Sequence, residues 1–319
     1  MQMTALVAAT KRKSSLSRTI GVMFVLIGAA SWGISGNVAQ FLFASRGIQP
    51  GWLTSMRMLC AGTLMLAVAT MRERSAVTGV WKERQSRGAL LIFGTLGMIG
   101  AQYTYFETVA AGNAATATLL QYLNPVLILM YFIIRWRLIP SAGETAAIFL
   151  AVSGVFFIVT KGHLGRLSIA PATLFWGLLS ACGGALYSVQ PAPLLKKWGT
   201  APVIGWGMVI GGSVMSMFYP PWHFAGRADA ASTLGILFVI LIGTFLSFYL
   251  YLASLKFLQP IETSVLGCAE PLSATVVSVL WLHVPFTFWD WLGACCIILT
   301  VIILSLFPPD KPADKSSNV

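Results

Sequence analysis

The main pattern along this chain is a series of long apolar runs separated by short polar connections. A helix needs about 20 predominantly apolar residues to cross a bilayer, and ten runs reach that length. They fall at residues 20–44, 52–71, 88–109, 115–134, 142–160, 171–190, 201–219, 233–255, 262–281 and 287–306. The runs are continuous rather than alternating, which excludes a transmembrane β-barrel. The pattern predicts an all-α integral membrane protein with ten transmembrane helices.

Composition supports a lipid-facing protein and excludes several other classes. Hydrophobic residues make up 57% of the 319 residues and charged residues only 10%, against about 25% charged in an ordinary soluble domain. This excludes a cytosolic enzyme and, despite the net charge of +11, a nucleic-acid binder. The five cysteines lie inside apolar runs without CxxC spacing, so neither a disulfide scaffold nor a metal site is expected.

The basic residues are distributed unevenly between the two sides of the membrane. If the N-terminus is cytoplasmic, sixteen Lys and Arg residues fall inside and only Arg46, Lys161, Arg166 and Arg227 fall outside. This positive-inside bias predicts that both termini are cytoplasmic. We expect residues 1–19 and 307–319 to be polar cytoplasmic tails without fixed structure.

The two halves of the chain resemble each other. An offset of 146 residues superposes spans three to five on spans eight to ten, and an offset of 152 aligns the beginnings of the halves. Because each half has five spans, the second half enters the membrane from the opposite side. The sequence thus predicts two inverted five-helix repeats, 20–160 and 171–306, an architecture typical of secondary transporters. The offset of 146 pairs Tyr103 with Tyr249, Tyr105 with Tyr251, and Pro125 with Pro271.

Three segments add a family resemblance that covers about residues 20–306. They are SWGISGNVAQFLF (31–43), NAATATLLQYLNP (113–125) and CAEPLSA (268–274). Together they resemble the EamA family of the drug/metabolite transporter superfamily, in particular bacterial inner-membrane permeases related to Lic-type choline permeases. The resemblance implies a permease for amino acids, amines or other metabolites.

Two polar residues followed by prolines stand at corresponding positions of the halves. Glu270 precedes Pro271 in the ninth span and Asn124 precedes Pro125 in the fourth. A carboxyl group at mid-membrane is costly and indicates function, and each proline leaves a helix carbonyl without its usual partner. The pairs predict a site at the repeat interface, where Glu270 holds a proton or a cationic group. The alternative is that both are helix kinks needed only for packing.

Aromatic and amide side chains within the spans are further candidates for substrate binding. Aromatic rings attract an ammonium group through cation–π interactions, and amides supply hydrogen bonds. The alternatives are interfacial aromatic belts and hydrogen bonds that only join helices. The candidates are Trp32, Tyr103, Tyr122, Tyr187, Tyr249, Asn37 and Gln121.

Arg57 and Glu107 are charged residues near the outer ends of the second and third spans. One interpretation is that their side chains reach the membrane surface. The other is that they pair across the mouth of a cavity and form an outer gate.

These observations favour a secondary transporter that moves a small polar metabolite, an amine or amino acid, by alternating access. The partners expected are this substrate, the lipid bilayer and a coupling proton, in a monomer or homodimer with no cofactor and no metal. Three alternatives stay open: a membrane enzyme acting on a lipid or isoprenoid, an exporter of other metabolites or drugs, and a purely structural membrane protein.

Overall fold

The computed structural model describes residues 2–137, 139–163 and 165–306, with side chains given for all of these except 2–16, 73 and 260. In these residues ten helices are long and apolar enough to cross a membrane, which confirms the predicted all-helical class. They are α1 (Gln2–Arg46), α2 (Pro50–Gly79), α3 (Arg84–Ala111), α4 (Ala114–Gln121 and Asn124–Trp136), α5 (Ala142–Thr160), α6 (Pro171–Val189 and Ala192–Trp198), α7 (Thr200–Phe218), α8 (Ala230–Ser254), α9 (Pro260–Gly267 and Ala269–Leu280) and α10 (Phe288–Leu306).

The structure describes the expected N-terminal tail from residue 2 onward, but it does not describe the expected C-terminal tail. Residues 2–19, expected to lack fixed structure, are helical and continuous with the first span. No Gly or Pro interrupts this stretch, and Ala, Lys, Arg, Leu and Gln are good helix formers. The expected C-terminal tail, 307–319, lies outside the described residues.

The helices pack according to the inverted repeat. Helix α2 packs on its counterpart α7, and α5 packs on its counterpart α10. Helix α1 packs on α8 of the second half, and the equivalent helix α6 packs on α3 of the first half. Each pairing therefore has a partner generated by exchanging the halves, as an internal pseudo-two-fold axis requires.

Glycines allow close crossings of α6 on α3 and of α1 on α9. A Cβ on Gly183 would lie 2.2 Å from the carbonyl of Gly100, and a Cβ on Gly33 would lie 2.4 Å from the carbonyl of Glu270. Small residues let transmembrane backbones approach this closely. The close crossings place the broken part of α9 directly beside α1.

Irregular turns occur at matching positions of the two halves. Helix α3 contains π-helical turns at Phe93–Met98, and α8 contains them at Phe238–Leu246. Helix α4 is interrupted at 122–123 and α9 at 268, each a few residues before a proline. The offset of 146 residues relates both sets. Because proline has no N–H and its ring displaces a carbonyl of the preceding turn, the helix cannot continue regularly there.

Two of the ion pairs that join the halves lie at opposite ends of the bundle. Arg46 at the end of α1 lies 2.9 Å from Asp229 before α8, and Lys197 in α6 lies 2.7 Å from Glu83 before α3. The backbone N–H of Ser232 and then Arg46 hold the pKa of Asp229 below its usual value. The hydrogen bond from Lys197 lowers the pKa of Glu83. The repeat relates the two pairs, so an equivalent ion pair joins the halves at each end.

Candidate functional site

A cavity of about 530 Å³ lies between the two halves. Its lining residues come from α1 to α4 in the first half and from α6 to α10 in the second. It reaches the end of the bundle where Leu195, Thr200 and Leu255 lie. Pockets of about 300–1,000 Å³ are typical of small-molecule sites. Of the residues expected in a site, those that line this cavity are Trp32, Gln121, Tyr122, Asn124, Pro125, Tyr187 and Glu270.

Glu270 lies at the break in α9, where its carboxyl group contacts a tyrosine of the other half. The Tyr122 hydroxyl lies 3.1 Å from Oε2 of Glu270 and 2.9 Å from the carbonyl oxygen of Gly267. That carbonyl lies four residues before Pro271, which has no N–H to donate to it. Tyr122 has a single O–H, so it donates to one of these oxygens at a time. One hydroxyl thereby connects the carboxyl group to the break in the helix.

Aromatic rings form one wall of the cavity. The Trp32 ring lies 4.9 Å from the Phe248 ring, edge to face, and 5.4 Å from the Tyr251 ring, measured between centroids. The Tyr187 ring packs on Phe93 at 5.5 Å. Trp32, Phe248 and Tyr251 line the same cavity as Glu270. Ring faces and a carboxylate in one space are the groups that recognise an ammonium ion.

The two amides beside the break in α4 differ in their bonding. Gln121 donates to the carbonyl of Ala101 at 3.0 Å and to the hydroxyl of Ser180 at 2.8 Å, which joins α4 to α3 and α6. Asn124 lies against Gly184, and no hydrogen bond from its side chain is found among the described residues. The Asn124 amide is therefore free to bond a molecule in the cavity.

Three expected site residues do not line the cavity. Asn37 donates to the carbonyls of Gly33 and Ala274 and accepts from Ser278, so its amide joins α1 to α9. The Tyr103 hydroxyl contacts that of Tyr219, and the Tyr249 hydroxyl accepts from Arg72.

The paired Tyr-x-Tyr motifs explain why Tyr103 and Tyr249 face away. Residues two apart in a helix point about 200° apart, so only one tyrosine of each motif faces the cavity. That residue is Tyr105 in the first half and Tyr251 in the second. The sequence repeat identified both motifs, but it did not identify which member faces inward.

The structure does not bring Arg57 and Glu107 together. Arg57 is only 5% exposed and lines the cavity, so it does not reach the membrane surface. Glu107 lies half-buried beside Tyr103, and within the described residues no salt bridge joins the two. The ion pair that joins α1 to α8 at that end of both helices is Arg46 with Asp229.

The similar proteins carry the name transporter, and the similarity covers nearly the whole of this chain. Residues 19–160 and 171–306 match the EamA-like transporter family. The chain is 38% identical to the "Uncharacterized inner membrane transporter YicL" of Salmonella typhimurium, over 90% of this chain and 95% of that protein. It is 23% identical to the "Uncharacterized transporter YwfM" of Bacillus subtilis, over 93% and 97%. A solved crystal structure shares the fold, with a TM-score of 0.60 and 16% identity over 92% of this chain and 97% of that one.

Proposed function

This chain belongs to the EamA-like transporter family, and from that membership we propose that it carries a small amine or amino acid across the bacterial inner membrane. The family resemblance in the three sequence segments is thus confirmed, and it favours transport over a membrane enzyme. The inner-membrane location follows from the relative YicL and from the positive-inside bias. By that bias, both termini are cytoplasmic.

The observation that carries the proposal is the carboxyl group of Glu270 in one cavity with the rings of Trp32, Phe248 and Tyr251. An ammonium group between them donates a charge-assisted hydrogen bond to the carboxylate. Each ring face adds about 0.5–2 kcal/mol of cation–π attraction, with the larger values in dry surroundings. These groups select a cation over a neutral molecule of the same shape.

The inverted repeat supports alternating access. The cavity lies at the interface of the halves and reaches the end of the bundle where Leu195 and Leu255 lie. By the positive-inside bias that end is cytoplasmic. At the other end the Arg46–Asp229 ion pair joins α1 to α8. Exchanging the conformations of the two halves would open the cavity to the other side.

The hydrogen bonds of Tyr122 suggest how a proton is coupled to this motion. With a protonated Glu270, the carboxyl O–H donates to Tyr122, and Tyr122 donates to the carbonyl of Gly267. With an ionised Glu270, the Tyr122 O–H turns to the carboxylate, and the carbonyl loses its partner. Proton and substrate ammonium therefore compete for Glu270, and the outcome changes the bonding at the break in α9.

A thermal-shift screen of the purified protein tests the proposal. The ligands are choline, betaine, carnitine, polyamines, the twenty amino acids and simple carboxylates. A ligand that binds only the folded state raises the apparent stability by RT ln(1 + [L]/Kd), where [L] is the free ligand concentration. We expect amines or amino acids to stabilise the wild type and not Glu270→Gln. The matched control is Glu262→Gln, in the same helix, since glutamine also satisfies the capping box that Glu262 forms with Gln259.

The outcomes of this screen test both the role of Glu270 and the proposed substrate class. Stabilisation that is lost in Glu270→Gln and kept in Glu262→Gln supports the proposed site. Stabilisation by amines that persists in Glu270→Gln contradicts the role of this carboxylate. Stabilisation by none of the amines or amino acids contradicts the proposed substrate class.

A further inference from the structure

Arg57 is a buried cation that the proposed amine site does not use. Its side chain extends from α2 into the lining of the cavity, and the residue is 5% exposed. The guanidinium carbon lies 3.6 Å from the centroid of the Phe106 ring, and Nη2 donates to the carbonyl of Gln102 at 2.9 Å. These two contacts fix the guanidinium against α3.

The hydrogen-bonding capacity of Arg57 is largely unused. A guanidinium has five N–H donors, and the bond to Gln102 uses one of them. The Nε atom is buried without a partner. The Phe106 ring lies against the face of the group, whereas the N–H bonds point out along its edges, so the ring leaves these donors unsatisfied.

The positive charge is also without a counterion in the described part of the chain. No carboxylate of the described residues lies within 4.0 Å of the Arg57 nitrogens, and the ion pairs found there involve other residues. A buried arginine within a membrane is costly and is normally paired. The guanidinium therefore offers N–H donors that no carboxylate of the described residues accepts.

Arg57 and Glu270 are separate charges within one cavity. Tyr105 lies within electrostatic range of both, and its hydroxyl bonds Thr118 at 3.0 Å. No salt bridge joins the guanidinium of Arg57 to the carboxyl group of Glu270 among the described residues. The cavity thus presents a negative group and a positive group, with Tyr105 in its lining as well.

We propose that Arg57 binds a carboxylate or comparable oxyanion of the substrate, so that the cargo is a zwitterion and not a simple amine. Its ammonium lies at Glu270 and the aromatic rings, and its oxyanion lies at the free edge of the guanidinium. This inference rests on the proposed function, because it adds a second anchor to the same cavity. A planar guanidinium suits a carboxylate, which accepts two parallel N–H bonds.

The test compares each of the twenty amino acids with its own amide, which keeps the ammonium and the shape but removes the negative charge. Dissociation constants are measured for the wild type, Arg57→Gln and Arg57→Lys. The matched control is Arg72→Gln, because Arg72 lies in the same helix but its guanidinium is exposed and bonds Tyr249 outside the cavity. Hydrogen bonds to charged groups predict that the wild type prefers the acid by about tenfold to a hundredfold.

We expect Arg57→Gln to bind acid and amide equally, with the affinity for the amide little changed. Arg57→Lys should keep part of the preference and Arg72→Gln all of it. A merely structural arginine would instead weaken acid and amide alike. If Arg57→Gln does not fold, the wild-type ratio and the Arg57→Lys ratio decide the question.

The outcomes separate this inference from the proposed function. Equal wild-type binding of acid and amide overturns the role of Arg57 but leaves an amine transporter. An unchanged preference in Arg57→Gln also overturns it. Binding of carboxylates that lack an amine, lost in Arg57→Gln, supports Arg57 and overturns the amine proposal. Binding of neither amino acids, amides nor carboxylates overturns both.

Discussion

Among the described residues, the hydrogen bonds that join the two broken helices, α4 and α9, are those of the Tyr122 hydroxyl, and Tyr122→Phe removes only that hydroxyl. The ring stays in place, so no large cavity is created. The carbonyl of Gly267, which Pro271 leaves without a backbone donor, loses its bond at 2.9 Å. The carboxyl group of Glu270 loses its contact at 3.1 Å.

The expected magnitude follows from these two acceptors. Leaving a buried acceptor unsatisfied costs about 1–3 kcal/mol, whereas a hydrogen bond that water can replace contributes about 0.5–1.5 kcal/mol. Water in the cavity can reach Glu270 more easily than the backbone of α9. We therefore expect Tyr122→Phe to lower the free energy of unfolding by about 1–3 kcal/mol, with the larger share from Gly267.

The assay is equilibrium unfolding in mixed detergent micelles, performed on a double-mutant cycle of Tyr122→Phe and Glu270→Gln. The control is Tyr131→Phe in the same helix, because that side chain is 53% exposed and its hydroxyl has no hydrogen bond among the described residues. We expect Tyr131→Phe to change stability by less than about 0.5 kcal/mol. Residues in direct contact usually show interaction energies of about 0.5–3 kcal/mol in such cycles.

Two results would refute this reasoning. If Tyr122→Phe is as harmless as Tyr131→Phe, the hydroxyl does not support the break in α9. If the two mutations in the cycle add within about 0.3–0.5 kcal/mol, Tyr122 and Glu270 are not coupled. In that case the proposed competition between proton and substrate loses its structural basis.

Two further predictions concern the close helix crossing and the Arg46–Asp229 ion pair. Gly183→Ala should lower stability by about 1–3 kcal/mol through overpacking, because its Cβ would lie 2.2 Å from the Gly100 carbonyl; unchanged unfolding in detergent would contradict this. Asp229 has a pKa lowered by the Ser232 backbone N–H and by Arg46, so its stabilising effect is complete above the unfolded pKa of about 3.9 and is lost as pH falls through the lower folded pKa. Asp229→Asn should therefore show a smaller loss of melting temperature between pH 5 and pH 3 than the wild type, and parallel curves would contradict this.

The architecture could be predicted from the sequence because its signals are local. A bilayer fixes the length of an apolar helix, so ten spans and their approximate ends follow from the run lengths. A proline interrupts the helix near its own position, so Pro125 and Pro271 predict where α4 and α9 break. The matching offset of these prolines and of the tyrosine motifs predicts that the halves are equivalent.

The composition of the cavity depends on helix rotation and crossing, which the sequence does not specify. Asn37 and Gln121 are both amides within spans, yet Asn37 is enclosed between α1 and α9 and Gln121 lines the cavity. Arg57 lies near the end of an apolar run, where the usual expectation is a side chain at the membrane surface. Only the approach of α3 to α2 shows that Phe106 covers this guanidinium inside the protein.

The central claim is that this cavity carries its ligand across the membrane, and counterflow in proteoliposomes tests it most directly. Vesicles loaded with an unlabelled amino acid that stabilises the protein are diluted into the same labelled compound, and exchange needs no other energy source. We predict that label accumulates with the wild type and with Glu262→Gln, and that it does not accumulate with Glu270→Gln. No accumulation above protein-free vesicles, for any compound that binds, would contradict transport through this site.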